Sequence, residues 1–187
     1  MTNPPPALSR YERLTMNDSS NIAFLTTSEG QDWQASLAEA AARWRQAGST
    51  VVGVLSAAPD AQGSCRVGYL RDIATGRKFS IQIDNPPEGA SCHLDSAGMD
   101  AACQFLLSQI STADAVILSK FGKTEITQHG LWAAFVTAAE AGKPVITTVS
   151  PRQHNAWLQF APGAFELTPD EQSIDRWWQA ARSRLAA

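Results

Sequence analysis

Residues 114–130 read DAVILSKFGKTEITQHG. The run Ala115-Val116-Ile117-Leu118 suits a strand buried between helices on both faces of a sheet. It breaks abruptly into Ser119-Lys120-Phe121-Gly122-Lys123-Thr124-Glu125. In open α/β sheets ligands bind just beyond the carboxyl ends of the strands. Lys120, Gly122, Lys123 and Glu125 are therefore candidate ligand-binding residues.

The pattern on either side completes an α/β fold. Residues 21–27 read as a first strand, followed by a turn at Ser28-Glu29-Gly30 and a helix cap at Asp32. A helix is expected over 33–47, with Trp33, Leu37, Ala40, Ala41 and Trp44 at helical spacing and Gly48 as its stop. Residues 50–56 form the next strand, so the opening β-α-β order implies two parallel strands. Segments 65–70 and 77–83 read as a hairpin around Asp72-Ile73-Ala74-Thr75-Gly76. Helices are expected over 96–110 and 127–141, and a buried strand over 143–149. A short helix carrying Trp157 and Phe160 begins at Pro151, and 165–167 is a short strand. Thr168-Pro169-Asp170-Glu171 opens a closing helix. The expected architecture is three-layered: a mostly parallel sheet, helices on both faces and a β-hairpin insertion. Residues 1–20, Pro-rich and then polar, are expected to be a flexible tail ahead of a single domain over 21–187. Met16 is a conceivable translation start.

With 187 residues the chain can build one full core. A net charge of −3 gives no case for a nucleic-acid or anionic-membrane surface. No apolar run approaches the ~20 residues of a membrane span. The three cysteines, Cys65, Cys92 and Cys103, come with no export signal and suggest a reducing cytoplasm.

The triplet Gly122-Lys123-Thr124 is not a P-loop. The G-x-x-x-x-G-K-[ST] spacing would put its first glycine at Ile117, inside the strand. The loop in the right place, residues 26–32, has one glycine, no lysine and two acids, Glu29 and Asp32, which repel a triphosphate. It reads as an ordinary strand–helix turn, with Ser28 and Gly30 kept as candidate ligand contacts. Lys120 and Lys123 could bind an anion, with Glu125 orienting a lysine or a water. The plainer reading is a solvated turn with a Lys–Glu pair worth at most about 1 kcal/mol. Cys65, Cys92 and His93 could meet as ligands of zinc or another soft metal. No CxxC or HExxH accompanies them, and buried or incidental cysteines are the default. Cys103 falls on an apolar helix stripe and reads as core. His129 and His154 have no partner readable from sequence, and the tryptophans read as core.

The order of elements resembles a family of small P-loop nucleoside triphosphatases first described from thermophiles. Those proteins carry a hairpin with a T-G turn and a later strand ending in D-E-x-G-K-x-E. Residues 72–76 resemble the turn and Ser119 to Glu125 resemble the second motif. Ser119-Lys120 replaces the acidic pair, and no lysine stands between Thr27 and Trp33. The resemblance thus implies a degenerate relative without a holder for Mg²⁺ or the γ-phosphate.

A closer resemblance is to domain-of-unknown-function family 2478 (DUF2478). It rests on Cys65, residues 72–76, Ser80-Ile81-Gln82, Cys92-His93-Leu94-Asp95, Lys120-Phe121-Gly122-Lys123 with Glu125 and Gly130, Gly142-Lys143-Pro144-Val145, and Trp157 with Phe160. That family usually has Asn at Ser119 and Arg at His93. The resemblance implies a bacterial, P-loop-like fold and a setting beside molybdate transport or molybdenum enzymes. The leading expectation is a non-hydrolysing ligand- or anion-binding accessory protein. Lys120 and Lys123 would receive the anion, and Arg66, Cys65, Cys92 and His93 would form the other wall. Its ligand would be a nucleotide or an oxyanion such as molybdate. Two alternatives stand beside it. One is an active magnesium-dependent nucleoside triphosphatase. The other is a protein-interaction module, with a partner or a second copy docking on an aromatic patch at Trp177 and Trp178.

Overall fold

A computed structural model describes residues 21–28, 32–57, 68–81 and 95–185. The apolar runs become strands β1 (Ile22–Thr26), β2 (Val51–Ala57), β5 (Ala115–Phe121) and β6 (Val145–Val149). The hairpin supplies β3 (Tyr69–Asp72) and β4 (Lys78–Ser80), and β7 (Phe165–Leu167) closes the set. Together they form one seven-stranded sheet in the order β4-β3-β2-β5-β6-β1-β7. The five strands β2, β5, β6, β1 and β7 run parallel, and only the hairpin is antiparallel. β1 and β2 are thus parallel as expected, but β5 and β6 lie between them. β5 is the central strand of the sheet.

Helices cover both faces because β5 is apolar on both. Val116, Leu118 and Phe121 pack with α2 (Ser96–Ile110), α4 (Trp132–Glu140) and α5 (His154–Phe160). Ala115 and Ile117 pack on the other face with α1 (Trp33–Gln46) and α6 (Glu171–Leu185). α1 is capped at Asp32, whose carboxylate accepts the Ala35 N–H at 3.0 Å. Within the described residues no helix is long and apolar enough to cross a membrane.

Several expected boundaries move. The hairpin strands are shifted from the expected 65–70 and 77–83, of which 65–67 and 82–83 lie outside the described residues. Asp72 belongs to β3, where its carboxylate accepts both the N–H and the hydroxyl of Thr75 at 2.7 Å and so closes the turn. The expected helix over 127–141 starts late. One helical turn, α3 (Lys123–Ile126), precedes it, and α4 begins only at Trp132. Gln128 and Gly130 between them have positive φ, which no helix accommodates. Trp177 and Trp178 are buried at 5% and 1% exposure, so they offer no aromatic docking patch. They turn inward because Trp178 stacks on Trp44 at 4.8 Å and Trp177 tilts against the same ring.

Candidate functional site

β5 does not stop at Leu118, where the sequence suggests a break, but continues to Phe121. Leu118 pairs with Thr147 and Phe121 with Val149, so β5 carries one more residue than β6 over this interval. Such a bulge re-aims the side chains that follow it. Without it, alternation would turn Lys120 toward the face holding Val116 and Leu118. With it, Phe121 takes that direction and meets Trp157 at 5.0 Å and Phe135 at 5.6 Å. Lys120 is left exposed at the carboxyl edge of the sheet.

Gly122 then caps α3, and Lys123, at its first position, is also exposed. Glu125 folds back beneath this turn. Its carboxylate accepts the Gly122 N–H at 2.9 Å and the Leu131 N–H at 3.1 Å. It is 3% exposed. Burial raises its pKa above the ordinary carboxylate value, against the pull of those N–H bonds and of Lys120. Gly130 makes room for it. A Cβ there would stand 2.8 Å from Glu125 Oε1 and 2.7 Å from Met99 Cε. Glu125 therefore shapes the turn from inside, with both oxygens engaged. A Cβ at Gly122 would lie 3.5 Å from both Glu125 Oε2 and Lys120 Cε, so these two side chains flank that glycine. The result is a braced turn presenting two ammonium groups, with no salt-bridge partner for either among the described residues.

Beside this turn lie residues that sequence reasoning did not single out. The Ser119 carbonyl accepts Gln34 Nε2 at 2.8 Å and Thr148 Oγ1 at 2.7 Å. Gln34 Oε1 accepts the Ser56 N–H at 2.9 Å. These bonds join the carboxyl ends of β2, β5 and β6 to the first turn of α1. Beside them Trp33 is buried, and its indole N–H donates to the Ser28 carbonyl at 3.4 Å. The one readable signal was Thr147-Thr148, two hydroxyls in an otherwise apolar strand. Gln34 gave none. At the β1 end of the same edge, Thr26 Oγ1 donates to Glu166 Oε1 at 2.5 Å, and His154 Nε2 lies 3.8 Å from Glu166 Oε2.

Of the expected site, the structure brings together Lys120, Gly122, Lys123 and Glu125. Ser28 lies two residues past the end of β1, on the same carboxyl edge of the sheet. Gly30, Cys65, Arg66, Cys92 and His93 lie outside the described residues. Cys103 is buried on α2, and burial raises its thiol pKa. Among the described residues no three His, Cys, Asp or Glu side chains gather in a group able to hold a metal.

Residues 22–177 match the profile of a family described as a protein of unknown function, DUF2478. Among curated proteins, the chain is 30% identical over 171 residues to the molybdenum import ATP-binding protein ModC 2 of Bradyrhizobium diazoefficiens. That match covers 90% of this chain but only 19% of the relative, so the chain spans about a fifth of that protein's length. It is 27% identical over 135 residues to nucleoside-triphosphatase THEP1 of Thermoplasma acidophilum, covering 66% of this chain and 74% of the relative. The solution structure of a human cancer-related nucleoside triphosphatase superposes with a TM-score of 0.58 and 16% identity. It covers 89% of this chain and 98% of that one. Identity that low speaks for the fold alone, which is α/β and P-loop-NTPase-like.

Proposed function

The chain belongs to the DUF2478 family, and on that premise we propose that it is a non-hydrolysing, anion-binding accessory protein of the P-loop-like fold. The observation that carries this reading is the hydrogen bonding of Gln34 and Thr148 to the Ser119 carbonyl at the carboxyl edge of the sheet. In a phosphate-binding loop, backbone N–H groups and a helix N-terminus face the anion. Here the N-terminus of α1 faces its own carboxylate, Asp32. Gln34, Thr148 and the Ser119 carbonyl satisfy one another where a metal and a γ-phosphate would need open ligands.

Lys120 and Lys123, without a salt-bridge partner among the described residues, stand instead at the edge where this fold type takes its ligands. In this reading the ligand is an oxyanion such as molybdate, or the phosphate group of a nucleotide held without turnover. Ser28 and Gly30 would approach from the β1 side, and Arg66, Cys65, Cys92 and His93 would close the far wall. The likeness to a protein named for molybdenum import supports an oxyanion and a role in molybdenum metabolism or transport.

The test is isothermal titration with molybdate and sulfate of the protein and of its Lys120→Ala and Lys123→Ala variants. A charge-assisted hydrogen bond is worth about 1.5–3 kcal/mol. Each variant should therefore lose roughly 10- to 100-fold in affinity. Unchanged affinity would remove the two lysines from the site. Magnesium-dependent phosphate release that Lys123→Ala abolishes would establish the nucleoside triphosphatase instead.

A further inference from the structure

The turn that carries the two lysines also holds a buried carboxylate beside them. Glu125 is 3% exposed, and Gly122 stands between it and Lys120. A Cβ on that glycine would lie 3.5 Å from Glu125 Oε2 and 3.5 Å from Lys120 Cε. No salt bridge joins the two side chains. The carboxylate is held instead by the Gly122 and Leu131 N–H groups, at 2.9 Å and 3.1 Å.

Among the described residues, the groups around Glu125 show which charges it feels. Lys120 comes from β5, and its ammonium favours the ionised carboxylate. Lys123 and His129 lie on the same turn, and both are exposed. From α2 come Met99, which packs at Gly130, and Cys103, with Asp100 exposed one turn earlier. The Cys103 thiol is buried and its pKa is raised above 9.0, in part by Glu125 itself, so it stays neutral. α4 contributes the Leu131 N–H at its start and no charged residue before Glu140.

We infer that an oxyanion bound at Lys120 and Lys123 draws a proton from solvent onto the Glu125 carboxylate, so that the site binds more tightly as pH falls. This coupling rests on the anion site proposed above and adds its regulation. The anion offsets the Lys120 charge that favours ionised Glu125, and it brings a like charge to the far side of Gly122. Salt screens a buried group poorly, so the two negative charges feel each other. Protonation removes the repulsion without dismantling the turn, because each oxygen of a neutral carboxyl keeps a lone pair for its N–H. Burial already holds the Glu125 pKa above 4.5, so the proton is taken up at milder pH than by an exposed glutamate. The anion raises that pKa further. Affinity is therefore greatest below the pKa of the free protein, declines as pH rises to that of the complex, and then levels off.

The experiment is isothermal titration with sulfate, which stays fully ionised throughout, from about pH 4.5 to about pH 8. Runs in two buffers of different ionisation enthalpy count the protons taken up with the anion. The expected result is an uptake of part of one proton per sulfate, greatest where affinity declines. Affinity should be about tenfold weaker at the top of the range than at the bottom. Glu125→Gln, which cannot ionise, should flatten both curves. If that variant fails to fold, the proton count in His93→Gln/His129→Gln decides, and the uptake should survive there. Sulfate binding without proton uptake, a pH dependence that persists in Glu125→Gln, or an uptake lost with the two histidines would each overturn the inference and leave the anion site standing. No sulfate binding at any pH would remove the anion site itself, and the coupling with it.

Discussion

At the scale of single residues, the carboxylate of Glu125 fixes the geometry of the candidate site. Its two oxygens hold two backbone N–H groups in a setting where water does not reach. Glu125→Ala leaves both donors unpaired, at about 1–3 kcal/mol each. A fall in Tm of at least several degrees is expected. The same residue sets a pH dependence. Its folded pKa lies above the ordinary value of 4.5, so the folded chain holds the proton more tightly than the unfolded one. As pH rises from 4.5 through the folded pKa, the unfolded state sheds its proton first. The contribution of Glu125 to stability therefore falls as pH rises and levels off above the folded value. Denaturant melts of the protein and of Glu125→Gln across that range would reveal the difference. The slope assigned to Glu125 should vanish in the variant, and an unchanged slope would contradict this account. Gly130→Ala tests the same pocket from its wall. It combines a positive φ of 61° with a Cβ placed 2.8 Å from Glu125 Oε1, and should cost about 2 kcal/mol or more.

At the scale of elements, the bulge in β5 determines what faces the ligand edge. The apolar run 115–118 was legible as a central strand because Ala, Val, Ile and Leu can only be buried there on both faces. The continuation through Lys120 was not legible, because a charged residue normally signals the end of such a strand. Only pairing with β6 reveals the extra residue that throws Lys120 outward and sends Phe121 into the aromatic cluster. The late start of the helix expected over 127–141 was hidden for a similar reason. Thr127, Gln128 and His129 do not forbid helix, and the break depends on Glu125 capturing the Leu131 N–H. The sheet also depends on close approach at Gly53 of β2, where a Cβ would fall 1.9 Å from the Ile117 carbonyl oxygen. Gly53→Ala should therefore cost about 3 kcal/mol or more, seen as loss of soluble protein or a large drop in Tm. Gln34→Ala is milder. It strips the Ser56 N–H of its partner while Thr148 still serves Ser119, and should cost about 1–2 kcal/mol. On the present reading it should confer no nucleotide hydrolysis, because Asp32 and Trp33 remain in place.

At the scale of the whole molecule, two apolar layers clasp the sheet. The layer order was legible because strands and helices alternate with clear turn signals. The inward orientation of Trp177 and Trp178 was not, since adjacent tryptophans suit a surface patch as well as a core. What decides it is Asp175. Its carboxylate accepts the Trp44 indole N–H at 2.8 Å and binds Arg43, fastening α6 onto α1. Asp175→Ala should loosen that layer by about 1–3 kcal/mol, a Tm loss of several degrees in a thermal melt. The Lys120 and Lys123 half of the candidate site could be found from its place at a strand end. The hydrogen-bonded set of Gln34, Thr148 and Ser119 could not, because its members are far apart in sequence and none carries charge.

The central proposal is that Lys120 and Lys123 receive an oxyanion and that the chain hydrolyses no nucleotide. A thermal-shift series tests it most directly, using molybdate, tungstate, sulfate and phosphate, then magnesium with ATP or GTP. The account predicts that an oxyanion at a hundred times its dissociation constant adds about 2.7 kcal/mol. That is a shift of roughly 5–10 °C for a chain of this size. The shift should be lost in Lys120→Ala/Lys123→Ala, and no phosphate should be released from nucleotide. A shift given only by magnesium nucleotide, with phosphate released on incubation, would contradict the account.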